Sequence, residues 1–271
     1  MKRLLTHIIS SSLAIMIFTS NVMAFDTGLN SDLLLLVNKD NAVDMNYVPS
    51  NLVSLSNIMP VNKSGMTIRG AMAWSLEQMY DDMKELGLRL NGISGYRSYS
   101  YQSGLYSSQV NKMRAMGYTN YYQRAAMVVA KQGTSEHQLG LAVDVSDNFS
   151  LTQAFAQTAS GRWLKENCHK YGFIIRYDND KENLTNVIYE PWHLRFVGKP
   201  HSEYMYANNL CLEEYLGILK AIGHLSIPYQ QGEYNVFYTT DTTQEFINVI
   251  DISRDNMGGY IITTNTRFDA E

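Results

Sequence analysis

The sequence predicts an α+β fold in which helices flank a small antiparallel sheet, with a short β-rich appendage at the C-terminal end. Helix-like and strand-like segments alternate without a regular βαβ rhythm and without a glycine-rich phosphate loop. Of the 271 residues, 45% are hydrophobic and 18% are charged, so the chain can bury a sizeable core. This length and composition favour one large domain with a small addition.

The N-terminal segment differs in composition from the rest of the chain. Lys2 and Arg3 precede a mostly apolar stretch over 4–18, and Ala24 supplies a small residue for cleavage. This order is typical of a secretory signal peptide, and the apolar stretch is short for a full membrane span. We predict a signal peptide over 1–24 and an extracytoplasmic protein, either secreted or associated with the cell envelope. The alternative is an uncleaved N-terminal anchor, which would be the protein's only attachment to a membrane.

Apolar spacing and glycine positions predict the elements of the first half of the chain. The run of Leu and Val over 33–38 predicts a buried strand, and turn-forming residues follow as far as Pro60. Trp74, Met79 and Met83 recur near helical spacing and predict a helix over 71–86. The other predicted elements here are strands over 88–94 and 141–145 and helices over 99–116 and 121–131.

The second half of the chain changes from helix-like to strand-like patterns near Ser226. The predicted elements before that point are helices over 153–171, 200–208 and 212–222 and strands over 173–177 and 192–197. The β-prone segments after it are 234–238, 246–250 and 259–264. We therefore predict a main domain over 25–225 and a β-prone appendage over 226–271.

Charge and cysteine content exclude some classes of function. The formal net charge of −4 argues against a nucleic-acid partner, because such binding needs concentrated Lys and Arg. The two cysteines, Cys168 and Cys211, have no neighbouring pattern of metal ligands. We predict buried free thiols, and a single disulfide is the alternative for an exported chain. The sequence carries no signal for an oligomer, so a monomer is the default.

Two segments carry residues that predict a metal site. His137 and Asp144 lie on either side of a turn at Gly140, at the start of a predicted strand, and His193 begins a second one. Zinc accepts imidazole nitrogen and carboxylate oxygen, and a catalytic zinc site keeps one position open. A single His beside a Gly is more often a surface or structural residue, but the conjunction of all three favours metal binding. The remaining histidines lack such partners and are predicted not to bind metal: His7, His169, His201 and His224.

Two further side chains fit the chemistry of hydrolysis. Glu190 precedes His193 by three residues, with Pro191 between them, and can take a proton from a metal-activated water. The alternative for this residue is an exposed loop carboxylate. Arg97 follows a predicted strand and a turn, where a guanidinium can stabilise an oxyanion or clamp a substrate carboxylate. Its alternative is a surface ion pair.

The same segments resemble the zinc D-alanyl-D-alanine carboxypeptidases of the VanY type. The resemblance rests on Ser94-Gly95-Tyr96-Arg97 with Gln102, on residues 133–144, which include Ser135-Glu136-His137-Gln138-Leu139-Gly140-Leu141-Ala142-Val143-Asp144, and on residues 190–198, which begin Glu190-Pro191-Trp192-His193. Residues 211–216 resemble the usual end of that family, so the similarity covers about 33–216 and leaves the tail without an interpretation. It implies the small α+β zinc fold that this family shares with D,D-dipeptidases and the Hedgehog signalling domain.

The resemblance implies a role for each matching residue. By position, His137, Asp144 and His193 would bind one zinc ion, Glu190 would be the catalytic base and Arg97 would stabilise the transition state. The residues implied to contact the substrate are Gln102, Ser135 and Trp192, and packing is an equal alternative for the last.

The implied function is zinc-dependent removal of the terminal D-Ala from pentapeptide stems of peptidoglycan precursors. Such trimming would remove the target of glycopeptide antibiotics, which implies a contribution to resistance, and ordinary wall maturation is the alternative. An L,D-carboxypeptidase acting on tetrapeptide stems would share every metal motif. The predicted export argues against a D,D-dipeptidase, which typically acts in the cytoplasm. Glu190 and Arg97 argue against a non-catalytic wall-binding module with a metal site.

Overall fold

The computed structural model describes residues 22–23, 31–229 and 232–267. The predicted signal peptide over 1–24 lies outside the described residues except for Val22–Met23, which form the short strand β1. Within the described ranges, none of the helices has both the length and the apolar character that a membrane span requires.

The order of helices and strands along the chain is mixed, as the sequence predicts. The α-helices are α1 (Ala73–Glu85), α2 (Tyr99–Ala115), α3 (Tyr121–Ala126), α4 (Ala159–Asn167), α5 (Glu182–Thr185), α6 (His201–Ala207) and α7 (Leu212–Ile222). The strands after β1 are β2 (Leu52–Ser54), β3 (Thr67–Arg69), β4 (Asn91–Ser94), β5 (Ala142–Ser146), β6 (Phe173–Ile175), β7 (His193–Phe196), β8 (His224–Tyr229), β9 (Gly232–Thr239), β10 (Phe246–Ile247), β11 (Val249–Arg254) and β12 (Tyr260–Arg267).

A four-stranded antiparallel sheet with the strand order β4-β5-β7-β6 forms the centre of the fold. Every residue of β5 is buried, and so is every residue of β7. Val143 and Leu194 from these strands share one apolar core with Leu76, Met79 and Met83 of α1. The predicted small antiparallel sheet with flanking helices is therefore confirmed, and its two fully buried strands carry two of the predicted metal ligands, Asp144 and His193.

The buried strand predicted over 33–38 is wrong. The segment is buried but pairs with no strand, and its side chains divide between two cores, with Leu34 and Leu36 in one and Leu35 and Val37 in the other. Its backbone N–H and C=O groups form hydrogen bonds with individual groups elsewhere in the chain and not with a neighbouring strand. The Leu34 amide donates to Ser253 Oγ at 2.8 Å, and Arg195 Nη2 donates to a carbonyl oxygen of the segment at 2.8 Å.

Residues 33–38 join the central sheet to the C-terminal part of the chain, because their side chains pack into both apolar cores. Leu34 is completely buried beside Val236 and Ile261. We expect Leu34→Ala to lower the free energy of unfolding by about 2–5 kcal/mol, the range for a buried Leu whose cavity collapses only partly. Urea denaturation of this variant beside Leu184→Ala, at a half-exposed position, tests this. Equal effects in both variants would contradict the two-core arrangement.

The C-terminal part of the chain is a second four-stranded antiparallel sheet, with the order β11-β12-β9-β8. Its first strand begins at His224, and the sheet packs against α7. A buried hydrogen-bond chain ties the two together: His201 Nδ1 lies 2.7 Å from the Tyr215 hydroxyl, and His201 Nε2 lies 3.2 Å from Thr263 Oγ1. Cys168 and Cys211 are buried free thiols, as the sequence predicts.

Candidate active site

The pairing of two strands brings two of the predicted metal ligands together. In the antiparallel pair of β5 and β7, Asp144 lies directly opposite His193. Asp144 is also paired with Ser94 on β4. Asp144 therefore lies between His193 on one neighbouring strand and Ser94, close to Arg97 in the sequence, on the other. Residues directly opposite in such a pair have side chains on the same face of the sheet. The sheet register therefore fixes this half of the site.

The third predicted ligand comes from a short 3₁₀ helix over Glu136–Leu139, which ends at Gly140 with φ of +67°. A Cβ at Gly140 would lie 3.3 Å from the backbone nitrogen of Arg69, so glycine suits both the conformation and the close approach. His137 Nδ1 lies 2.7 Å from the Gly95 carbonyl oxygen, which makes Nδ1 the protonated nitrogen. That hydrogen bond leaves the lone pair of Nε2, which lies beside Asp144, free to bind a cation.

The three side chains form a donor set that fits a zinc ion. One donor atom from each of His137, Asp144 and His193 lies within 4.8 Å of the other two. His137 Nε2 is 3.3 Å from Asp144 Oδ2, and His193 Nδ1 is 3.1 Å from Asp144 Oδ1. Among the described residues, both His137 Nε2 and Asp144 Oδ1 are buried without a hydrogen-bond partner. Buried polar atoms without partners are rare, and a cation coordinated by them would satisfy both.

The electrostatics of the donor set also suit a cation. Burial and the neighbouring Arg97 charge lower the pKa of His137 to about 4, so that imidazole is neutral at neutral pH. Burial alone would raise the pKa of Asp144, but its histidine neighbours and Arg97 outweigh that effect and keep it well below its usual range. Metal ligands must be deprotonated, and both side chains meet this condition.

Glu190 is held beside the ligands by a tight turn. The amide of His193 donates to the Glu190 carbonyl at 3.1 Å, and the amide of Glu190 donates to the Tyr177 carbonyl at 2.9 Å. Glu190 Oε2 consequently lies 3.7 Å from His193 Nδ1. Burial raises the pKa of this carboxyl to about 8. A buried carboxylate of raised pKa next to a metal site has the properties of a general base.

Arg97 reaches the same point from the end of β4. Its Nη2 is 2.6 Å from Asp144 Oδ2, its Nε donates to Ser94 Oγ at 2.8 Å, and its Nη1 donates to Gln102 Oε1 at 3.2 Å. Gln102 is buried and donates in turn to the Ala130 carbonyl at 2.7 Å. Gln102 is thus buried in contact with Arg97, whereas its match to the family motif implies a contact with the substrate.

The site opens into a cavity of about 600 Å³. Ser135 and Trp192 both line it, and Trp192 also belongs to the apolar core. Tyr177, which no sequence motif indicates, also belongs to the site: its ring centroid is 4.9 Å from that of His193. One wall of the cavity is formed by α2 and the segment after α3, and nothing in their composition marks them as pocket residues.

Glu136 also lies near the ligands, and no motif of the sequence indicates a role for it. Its side chain is completely buried and its Oε1 lies 2.7 Å from both Arg176 and Arg195. These two cations outweigh burial and hold the pKa of Glu136 well below its usual range. The position next to His137 is a usable signal, but the two arginines are distant in the sequence: Arg176 directly follows β6 and Arg195 lies on β7. A buried metal-type donor set beside a carboxylate and a guanidinium defines this site as that of a metal-dependent hydrolase.

Comparison with known proteins narrows that class to one family. The VanY profile, described as D-alanyl-D-alanine carboxypeptidase, matches residues 65–199. The D-alanyl-D-alanine carboxypeptidase of Enterococcus faecium is 35% identical over 242 residues, which cover 85% of this chain and 74% of that protein. The chain therefore belongs to the VanY family of D-alanyl-D-alanine carboxypeptidases, as the motifs of its sequence predict.

Solved structures of related proteins have the same fold. The LdcB LD-carboxypeptidase is 42% identical with a TM-score of 0.59, and the match covers 67% of this chain and 84% of that chain. A mutant of VanY from a VanB-type vancomycin resistance cassette, in complex with Zn(II), is 36% identical with a TM-score of 0.60, covering 68% and 98%. VanYB in complex with D-alanine-D-alanine is 37% identical with a TM-score of 0.60, covering 68% and 97%.

Proposed function

We propose that this chain is a zinc-dependent D,D-carboxypeptidase that removes the terminal D-Ala from the pentapeptide stems of peptidoglycan precursors. The observation that carries the proposal is the meeting of a three-residue metal donor set, Glu190 and Arg97 in one cavity. The family and the relatives named for D-Ala-D-Ala support the substrate.

We assign the metal to His137, Asp144 and His193, whose nitrogen and oxygen donors suit zinc. Zinc bound in an open site of this kind lowers the pKa of its water to about 7 and polarises a substrate carbonyl. The protein's part is to fix the ligands and to present His137 and Asp144 deprotonated. Burial lowers the pKa of His193, but hydrogen bonds with Asp144 and Glu136 outweigh burial and raise that pKa to about 9, so this ring would release its proton on binding the metal. Asp144 is held between the two strands that flank β5, and the Gly95 carbonyl sets the ring of His137.

Glu190 supplies the proton transfers of the reaction. Its carboxylate faces the cavity next to His193 and takes the proton of the attacking water. The same carboxyl then gives a proton to the departing amine, so that free D-Ala leaves with the base restored. A bound cation stabilises the carboxylate form and lowers the pKa of Glu190 below the value of about 8 that burial gives.

Arg97 stabilises the negative charge that develops on the oxygen of the scissile carbonyl. Its three hydrogen-bond partners fix the guanidinium before the substrate arrives, so that little reorganisation accompanies the reaction. We assign Gln102 to the positioning of Arg97. Ser135 and Trp192 line the cavity and are proposed to contact the terminal residue of the substrate.

The direct test is D-Ala release by the purified protein from matched pentapeptide and tetrapeptide stems, with and without a chelator. We expect release from the pentapeptide, loss of that release on chelation, and its recovery when zinc is added. Removal of the metal should abolish activity, since three of the site's side chains then lack the cation that organises them. Release that persists in excess chelator would contradict the zinc assignment.

The second candidate is an L,D-carboxypeptidase that acts on tetrapeptide stems. It is favoured by the 42% identity to the LdcB LD-carboxypeptidase, which exceeds the identity to the VanY structures. The same assay decides between them: release from the tetrapeptide alone would keep the chemistry and change the substrate. Retention of zinc with no release from either stem would favour a non-catalytic wall-binding module.

The substrate class and the N-terminal sequence together support an extracytoplasmic location. Peptidoglycan stems lie outside the cytoplasmic membrane, and residues 1–24 have the order of a signal peptide. We propose export, with a contribution to glycopeptide resistance through loss of the terminal D-Ala. Cell fractionation and N-terminal sequencing of the exported protein test the location and the cleavage.

We propose that residues 226–271 are an appendage fixed to the catalytic domain of residues 25–225. The β-sheet of this appendage shares one apolar core with Leu34, Leu36 and Leu216. A chain truncated at residue 225 would expose that core, so we expect it to be unstable. A truncated chain of wild-type stability and activity would show that the appendage is a separate module.

A further inference from the structure

We propose that Glu136 is a positioning residue that holds the ring of His193 in the orientation required for metal binding. The inference rests on the zinc site proposed above and names what fixes one of its ligands. Glu136 touches neither the cavity nor the donor atoms of the site, and it acts through His193 alone.

The geometry around the His193 ring supports this role. His193 Nε2 lies 3.5 Å from Glu136 Oε2, and among the described residues neither atom has a hydrogen-bond partner. On the other side of the ring, Nδ1 faces Asp144 Oδ1 at 3.1 Å. A proton on Nε2 directed at the carboxylate leaves the lone pair on Nδ1, where the other donors converge. Metal-binding histidines usually donate their second N–H to such a partner.

Two buried arginines determine which oxygen of Glu136 faces His193. Arg176 Nε and Arg195 Nη1 both bind Oε1, each at 2.7 Å, so Oε2 is left for the imidazole. Arg195 also donates to the carbonyls of Leu33 and Leu35, at 2.8 and 3.1 Å. The orientation of the Glu136 carboxylate is therefore fixed by Arg176 and Arg195, which are not part of the metal donor set.

Arg176 has a second anchor, which supplies a matched control. Its Nη1 and Nη2 donate to the two oxygens of Glu213 at 2.8 and 2.7 Å. Glu213 thus belongs to the same ion network as Glu136, but its side chain pairs with Arg176 and Asn38 and not with His193. A substitution at Glu213 perturbs the arginines, whereas a substitution at Glu136 perturbs both the arginines and the histidine.

The test compares Glu136→Gln with Glu213→Gln in the full chain. Zinc affinity is measured by competition with a chromophoric chelator, and ¹⁵N NMR of the zinc-loaded protein shows which ring nitrogen of His193 carries the proton. We expect Glu136→Gln to weaken zinc binding by about 10–100-fold, the range for loss of such an outer partner, and to reduce the Nε2–H tautomer. Glu213→Gln should keep the wild-type tautomer and bind zinc within about twofold of wild type. Equal losses of affinity in the two variants, or no loss in either, would overturn the proposal.

Glu136→Asp keeps the test decisive if Glu136→Gln does not fold. It retains the negative charge for the arginines but withdraws the carboxylate from His193 by one methylene. We expect a folded protein with weakened zinc binding, and wild-type affinity in this variant would overturn the proposal. Neither readout uses a substrate, so failure of the D-Ala release assay and failure of this inference are separate results.

Discussion

Glu190→Gln is expected to lower kcat/KM for D-Ala release by about 10²–10⁴-fold while the protein still binds zinc. Glutamine has nearly the same shape but cannot take the proton of the attacking water. Glu190 is not part of the three-residue donor set, so its loss leaves the ligands in place. Activity and zinc content are measured together on the same preparation.

A matched control for this variant is Glu203→Gln, at an exposed ion pair with Lys199. It removes one carboxylate from the surface and should leave both activity and zinc content unchanged. If Glu190→Gln keeps more than about a tenth of the wild-type rate with full zinc, the base must be another group.

The pH profile gives the same prediction a second readout. Glu190 acts as a base in its deprotonated form, so the activity of the wild-type protein should rise as the pH rises through its pKa. Burial raises that pKa to about 8, and a bound cation opposes this, so the midpoint should fall below pH 8. The Glu190→Gln protein should lack this rise, which kcat/KM measured across pH would show.

The sequence points to His137, Asp144 and His193, the three donors that the structure brings together, because each lies in a short, local pattern. The turn at Gly140 places His137 before a strand, and the spacing of Glu190 and His193 fits one tight turn. These relations span few residues and need little knowledge of the tertiary structure. The direct pairing of Asp144 with His193 could not be read in the same way, because sheet register depends on distant strands.

Other features depended on tertiary contacts, and there the sequence was less informative. Trp74 is used with the methionines of α1 to predict the helix, yet it is 72% exposed. It precedes Met79 by five residues, which turns it about 140° round the helix to the side facing solvent. The apolar run over 33–38 was predicted as a strand, but side chains such as Arg195 satisfy its backbone. Glu136 resembles an ordinary loop carboxylate until its arginine partners are seen.

The site residue with the next largest expected effect is Arg97, for which two roles were open from the sequence. If it stabilises the developing oxyanion, Arg97→Met should lower kcat and kcat/KM together by about 10²–10³-fold, with KM little changed. If it clamps the terminal carboxylate of the substrate, KM should rise and kcat should stay near wild type. Steady-state kinetics on the pentapeptide separate the two, with Arg89→Met, at an exposed position, as the control.

Two further variants test whether the activity depends on the shape of the Arg97 guanidinium and on its orientation by Gln102. Arg97→Lys keeps the charge, but one ammonium group cannot reproduce the fork that meets Ser94, Gln102 and Asp144. We expect it to recover only a small part of the lost rate. Gln102→Leu should cause a smaller loss, and that loss should appear in kcat, because Gln102 acts by orienting Arg97. A Gln102→Leu protein with raised KM and unchanged kcat would instead return Gln102 to direct contact with the substrate.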